Sequence, residues 1–299
     1  SFLEDRPLFG ASPMTISRRR FQAAVLGMTG AVLSPWRGPG LASARADDDA
    51  PDRPIKVLLL GKDRDHPPET HEYMDECRML AACLKRIKGV EAVVSNGWPT
   101  DPAILEGVST IFLYTGVGGD VLFKDPARRA EVRRLLDRGC GLVSIHWSTG
   151  VSDGEPAEAQ LASLGGTFDT SYSKLKFATE VLRKADPGHP IGRGWNDFEM
   201  HDEFYLELKY AEGIRPLITI ELDGVTHTLG WTFERPNGGR SFGFVCGHFH
   251  ANFVNDNYRG ILLNSILWTA GREIPAEGAP RAVTAEELTL SPDPRRESK

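Results

Sequence analysis

Gly141-Leu-Val-Ser-Ile-His-Trp147 decides the fold class. Leu142, Val143 and Ile145 leave no polar/apolar alternation, so both sides of this short run must be covered, as in the inner strands of a parallel sheet. The run ends on a histidine, and Trp147-Ser-Thr-Gly150 follows as a turn. Toward the amino terminus the pattern recurs in Ile55-Lys-Val-Leu-Leu-Leu-Gly61, in residues 91–95 and in residues 110–115. Between these runs, residues 70–88 carry Met74, Cys77, Ala81, Leu84 and Ile87 at helical spacing, and residues 125–138 form a charged helix. Strand–helix alternation predicts right-handed crossovers and a ligand site at the carboxyl ends of the strands.

The second half of the chain changes rhythm. A helix over 155–164 is followed by strands at 177–181, 204–208, 216–222 and 228–233. Pro236-Asn-Gly-Gly239 is a turn signal, with a return strand at 241–246. A closing helix spans 258–270, with Gly271 in place to terminate it. The expectation is one α/β domain over 54–274, a three-layer sandwich with a mainly parallel central sheet and added β-hairpin elements. Residues 275–299, rich in proline and charge, read as a tail.

Residues 1–46 read as a signal peptide. Ser17-Arg-Arg-Arg-Phe21 opens an apolar stretch to Leu33, and Ala44-Arg-Ala46 offers a cleavage site. The paired arginines resemble a twin-arginine signal, which implies a periplasmic or extracellular protein. Met14 makes residues 1–13 an upstream extension, and 47–53 a linker. The whole chain carries 35 basic and 41 acidic side chains; without residues 1–46 the balance is 29 to 39. No basic stripe favours a nucleic-acid partner, and no run of apolar residues in the mature chain favours a membrane one. Four cysteines without a C-x-x-C pair read as small buried residues, with one disulfide left open by the exported context.

Four polar segments fall at strand ends. The first, Gly61-Lys-Asp-Arg-Asp-His-Pro-Pro-Glu-Thr-His-Glu-Tyr73, brings His66 and His71; its bland reading is a solvated loop with a helix cap. The second, Gly116-Val-Gly-Gly-Asp120, lets backbone approach a ligand or merely turns. It matches neither phosphate-loop nor dinucleotide signature, so no nucleotide cofactor is expected. The third is His146, as ligand, acid/base or a core ring held by carbonyls. The fourth, Phe198-Glu-Met-His-Asp-Glu-Phe-Tyr205, puts His201 and Glu203 on one face of a strand and Asp202 on the other. In Gly247-His-Phe-His250, an extended backbone would put His248 and His250 on one side, which suits a metal or a polar ligand.

Thr70-His-Glu-Tyr73, Leu142-Val-Ser-Ile-His146, His201-Asp-Glu-Phe-Tyr205, and Gly247-His-Phe-His250 with Leu262-Leu-Asn-Ser-Ile-Leu-Trp268 together resemble the ThuA-like (trehalose utilisation) family. The resemblance spans roughly residues 55–271. It implies a flavodoxin-like fold of the class I glutamine amidotransferase kind, with His146 where those enzymes carry a nucleophilic cysteine. A cysteine-dependent glutaminase is therefore not expected. One departure is Phe168-Asp-Thr-Ser-Tyr172, where family members often have a His-Pro pair.

The resemblance implies a small-molecule carbohydrate substrate, a glycoside or 3-keto-sugar, handled as a hydrolase, lyase or isomerase would. His146, His201, Glu203 and His248 are the expected catalytic groups. Trp147, Asp120, Tyr205 and His71 are expected to contact substrate. His146, His201, His248 and His250 form a candidate ligand set for zinc or another first-row divalent ion, with His250 either a fourth ligand or a group behind the ligands. The competing readings are a non-catalytic sugar-binding domain and a glycosidase with paired carboxylates, for which only Asp202 or Glu72 could partner Glu203.

Overall fold

The computed structural model describes residues 53–293. The expected signal segment, nearly all of the linker and the last six residues lie outside the described residues. A single nine-stranded sheet runs through the domain, and its two halves differ. Strands β1 (Ile55–Gly61), β2 (Val90–Asn96), β3 (Val108–Leu113) and β4 (Gly141–Ile145) pair in the order β2-β1-β3-β4, all parallel. Every residue of β4 is buried, as the unalternating run requires.

A two-stranded ladder joins β5 (Gly166–Thr167) to β8 (Lys209–Tyr210) beside the main sheet. The antiparallel half consists of β6 (Lys174–Lys184), β7 (Phe198–Leu206), β9 (Arg215–Leu222) and β10 (Val225–Glu234). Strand β11 (Arg240–Phe244) joins the halves. It is antiparallel to β10 through the Pro236–Gly239 turn and parallel to β4, with Phe244 level with Ile145. The full order is β2-β1-β3-β4-β11-β10-β9-β6-β7.

Helices α1 (Tyr73–Lys85) and α6 (Asp256–Thr269) pack together on one face. On the other, α2 (Gly118–Phe123), α3 (Pro126–Asp137) and α4 (Glu155–Leu164) form a second group, and α5 (His250–Val254) precedes α6. Asp125 caps α3 by accepting from Arg128 N at 2.7 Å, with Pro126 in the first turn. No helix among the described residues is long and apolar enough to cross a membrane.

Two expectations need correction. Gly116–Asp120 is not a plain turn, because α2 begins inside it. A Cβ on Gly118 would lie 2.4 Å from Ser148 O, and one on Gly119 would lie 2.4 Å from Val151 Cβ. The glycines admit the protein's own segment 148–151. Residues 275–293 are a packed strap, not a loose tail: Ala279 N donates to Asn264 Oδ1 at 2.8 Å, and Ser291 Oγ donates to Asp75 Oδ1 at 2.6 Å. Proline content signalled a lack of helix there, which does not preclude packing. All four cysteines are free and buried. Burial pushes the Cys140 thiol up to about 12 and raises the other three, so none is a ready nucleophile.

Candidate functional site

Four side chains from four separate segments meet at the carboxyl edge of the sheet. They are His71 from the loop after β1, His146 at the end of β4, Glu203 from β7 and His248 after β11. The nitrogen and oxygen atoms they offer all lie within 4.8 Å of one another. His71 Nε2 is 3.2 Å from His146 Nε2 and 2.9 Å from His248 Nδ1. Glu203 Oε2 is 3.5 Å from His146 Nε2 and 3.3 Å from His248 Nδ1.

Backbone geometry aims these rings. His146 (φ 50°) and His71 (φ 50°) occupy the left-handed region, which costs a non-glycine residue about 1–3 kcal/mol and marks positions held by their surroundings. For His146 the holding is visible: Thr149 Oγ1 donates to its carbonyl at 2.7 Å, and its Nδ1–H donates to Val245 O at 3.0 Å. His71 N donates to His248 O at 2.9 Å, and His250 N donates to Glu69 O at 2.9 Å, so the first and last site segments are laced together. Asp202 faces away from the site and accepts from Gly247 N at 2.7 Å and His248 N at 3.0 Å. Burial pushes its carboxyl up to about 7 against the pull of these amides.

The hydrogen bonds also set the tautomers. With Nδ1–H given to Val245 O, His146 presents a bare Nε2 to the centre. The Tyr73 hydroxyl bonds Asp65, so its oxygen accepts from His71 Nδ1–H at 2.8 Å, and His71 Nε2 is bare as well. Two lone pairs then face each other at 3.2 Å. His71 Nε2 can accept from His248 Nδ1–H at 2.9 Å, and His146 Nε2 lies 3.4 Å from the Tyr205 hydroxyl, so these donors or a cation held between the rings would each satisfy the pair. An added proton is disfavoured, because burial lowers the His146 ring to about 4 and pushes His71 far below its ordinary value. A metal with bonds of about 2.0–2.1 Å has tetrahedral ligand edges of about 3.3–3.4 Å, close to the separations above. Burial raises Glu203, but the His248 hydrogen bond and the neighbouring rings outweigh it and hold the carboxyl below its ordinary value. Imidazoles together with a carboxylate are a donor set for zinc or a similar ion.

Asp65, His66 and His71 also lie close enough to share an ion. The His66 and His71 rings, however, stack in parallel at 3.7 Å with 6° between planes. A cation shared by two stacked rings would lie well outside the plane of at least one, away from its lone pair, so this group does not fit. His66 instead covers the outer face of His71, with Trp147 set edge-on to both rings.

His201, expected as ligand and catalytic group, is not in the centre. It is exposed, bonds Thr179 Oγ1 at 2.9 Å and stacks on Phe249 at 5.3 Å. It shares a strand face with Glu203, but same-face neighbours stand about 7 Å apart, so only one can reach a compact cluster. His250 is not a ligand either. The chain turns at Gly247 (φ 135°) and bridges Thr70 at Phe249, so His250 opens α5 and its Nδ1 meets Glu76 at 2.6 Å. Asp120, expected at the substrate, gives both carboxylate oxygens to Ser152, at 2.7 and 2.6 Å.

His71, expected only as a substrate contact, is one of the four converging groups. Tyr205 stacks on His146 at 4.7 Å, with its hydroxyl 3.4 Å from His146 Nε2. Burial and the Glu203 charge hold that phenol well above its ordinary value, so it keeps its proton. Phe168, at the departure from the family pattern, packs on Tyr205 at 4.3 Å. The carboxylates weighed as partners for Glu203 are both engaged: Asp202 by amides, and buried Glu72 by Arg64 and Glu69 N. Sequence reading missed Tyr73, whose position on the first helical turn carried no signal of its bond to His71. It also missed Phe177, half-exposed, paired with Glu203 across the hairpin and 5.3 Å from the His248 ring.

Fold and centre together define an α/β sandwich protein with a histidine–carboxylate centre at the carboxyl edge of its sheet. The chain belongs to the ThuA family: the family model described as trehalose utilisation matches residues 56–269. Among solved structures, a putative ThuA-like protein from Parabacteroides merdae is 15% identical over 80% of this chain and all of its own, with TM-score 0.55. One from Bacteroides uniformis is 14% identical over 73% of this chain and 92% of its own, with TM-score 0.54. A cytoplasmic protein from Salmonella typhimurium LT2 reaches TM-score 0.52 at 14% identity, over 72% of this chain and 99% of its own. These likenesses concern the fold. No curated protein matches the chain.

Proposed function

We propose that the chain is a carbohydrate-processing enzyme acting on a glycoside or 3-keto-sugar, with its chemistry at the His71–His146–Glu203–His248 centre. The observation that carries this reading is the convergence of three imidazoles and a carboxylate, with the Nε2 atoms of His71 and His146 3.2 Å apart. His71, His146 and His248 would hold a divalent cation, zinc or a similar ion, with Glu203 as a further ligand or as the base. When bound, such a cation supplies Lewis-acid polarisation of a ketone oxygen.

The protein's own groups do the rest. In a 3-keto-glycoside the C–H at C2 is acidified by the neighbouring ketone. Glu203 takes that proton, the electron pair forms the C1–C2 double bond, and the C1–O bond breaks. In this reading the Tyr205 hydroxyl protonates the departing oxygen and recovers a proton from Glu203, its hydrogen-bond partner, so that both groups are restored. Trp147, edge-on to His66 and His71, and Phe177, beside the His248 ring, would serve as faces for a sugar ring. Family membership supplies the substrate class, and the paired arginines at 18–19 support export from the cytoplasm.

The test is elemental analysis of the exported protein, followed by a screen on plain and 3-oxidised disaccharides. The reading expects about one divalent ion per chain and consumption of an oxidised sugar, with both lost in His146→Ala and His248→Ala. If sugar binds but none is consumed and the two variants behave as wild type, the domain is a binding module.

A further inference from the structure

We infer that the carboxyl-terminal strap, acting through Arg64, positions His71. The contacts run without a break from one to the other. Arg64 Nη1 donates to Pro292 O at 3.2 Å and Nη2 to Ser291 O at 3.1 Å. The same guanidinium pairs with Glu72, whose side chain is fully buried, and with Asp75 in the first turn of α1. Ser291 closes the clasp from its own side, bonding Asp75 through both backbone N and Oγ. Glu72 Oε1 in turn accepts from Glu69 N at 2.7 Å. Glu69 O accepts from His250 N, and His71 N donates to His248 O, both at 2.9 Å.

The loop between Glu69 and His71 needs such a clasp. Glu69 (φ 70°) and His71 (φ 50°) both sit in the left-handed region, two non-glycine residues within three positions, and left alone this loop would relax. Glu72 is the only residue between His71 and the helix, so fixing its carboxylate fixes the angle at which the ring leaves the backbone. The guanidinium fork suits two carboxylates and two carbonyls at once, a task one ammonium cannot share out. Arg64 is thus a positioning residue, and Ser291–Pro292 are the part of the strap that orients it.

The inference uses the metal reading only for one of its two readouts. Three proteins are compared with wild type: Arg64→Ala, Arg64→Lys, and a chain ending at Leu290. Amide exchange over residues 69–72 and 248–252 should quicken by about tenfold or more on loss of charge-assisted bonds, while α3 and α4 stay as protected as before. Zinc affinity, by chelator competition, should fall by about 10- to 100-fold, the usual effect of losing a group behind a ligand, and Arg64→Lys should not rescue it. Should Arg64→Ala fail to fold, the shortened chain decides, since it keeps the Arg64–Glu72 pair. Unchanged exchange at 69–72 in the shortened chain, or rescue by lysine, overturns the inference. Faster exchange in the variants, when wild type itself takes up no zinc, sustains the positioning and removes the metal.

Discussion

Gly118→Ala tests whether the glycine-rich turn supports the centre from behind. The new Cβ would sit 2.4 Å from Ser148 O and 2.7 Å from both Ser148 Cα and Leu113 Cδ2, where ordinary contact begins at 3.4 Å. About 1 Å must be found, and two of the three obstacles are backbone, which yields less readily than a side-chain tip. The segment that must yield is the His146–Thr149 turn. It is tied to the sheet by the bond from Thr115 N to Ser148 Oγ at 2.6 Å.

Overpacking of this kind costs about 1–3 kcal/mol. For a domain of this size that lowers Tm by about 2–4 °C per kcal/mol. Metal sites tolerate ligand errors of only about 0.2 Å, so even part of that displacement reaching His146 should weaken zinc binding by about tenfold or more. Thermal unfolding and chelator competition measure the two effects. Gly116→Ala is the control: its Cβ would meet nothing closer than Lys62 Nζ at 3.7 Å, and both readouts should stay unchanged. A Gly118→Ala protein with wild-type Tm and zinc affinity would refute the argument that this turn sets the His146 ring.

Further outcomes follow from the site. His201→Ala should leave zinc uptake within about twofold of wild type. His250→Ala should also spare uptake while lowering stability by about 2 kcal/mol, because Glu76, pushed up to about 7 by burial, loses its partner. Urea titrations of both variants would separate these effects; a collapse of zinc binding in His201→Ala would return that ring to the centre. The His146 ring, held at about 4 in the folded chain against 6.5 when unfolded, makes the unfolded state the better proton acceptor between those values. Its contribution to metal-free stability is therefore complete above pH 6.5 and declines by about 3 kcal/mol as pH falls toward 4. Chemical denaturation of wild type and His146→Gln across that range should show the slope shrinking in the variant, and equal slopes would contradict a buried neutral ring. Glu203→Gln should abolish turnover of an oxidised disaccharide, whereas Tyr205→Phe should lower kcat by about 10²-fold with little change in zinc content. Near-wild-type kcat in both would move the proton transfers elsewhere.

The parallel half of the fold was readable because its strands are covered on both sides and so lack alternation. Ile55–Gly61 and Gly141–Ile145 announce themselves in this way. The antiparallel arm was read too short: β6 extends over Lys174–Lys184, although most of its residues are exposed or half-exposed and its lysines carry no apolar signal. In the site, His146 and His248 were legible from position, just past the ends of their strands, and Glu203 from the polar cluster it shares on β7. The misreading of His201 and His250 has one cause. Period-two reasoning gives the side of a strand but not the depth along it, and it fails where the chain stops being a strand, as it does at Gly247. His71 was expected at the substrate but not in the cluster, because a polar loop does not show which of its rings turns inward. What brings it in is a left-handed backbone and the bond of its Nδ1 to Tyr73, and only the folded chain shows both.

The arm formed by β6 and β7 hangs from the rest of the sheet by few rungs, since β6 meets β9 only at Arg183 and Lys184. Glu203 lies far out on that arm, while its three histidine neighbours belong to the body of the domain. Asp202 already ties the arm to the body through Gly247 N and His248 N, and whatever the four groups grip in common would act as a further rivet. Proteolytic nicking within residues 170–180 should accordingly be fast in chelator-treated protein and slow once zinc is restored, and equal cleavage in both states would mean that the arm needs no such fastening.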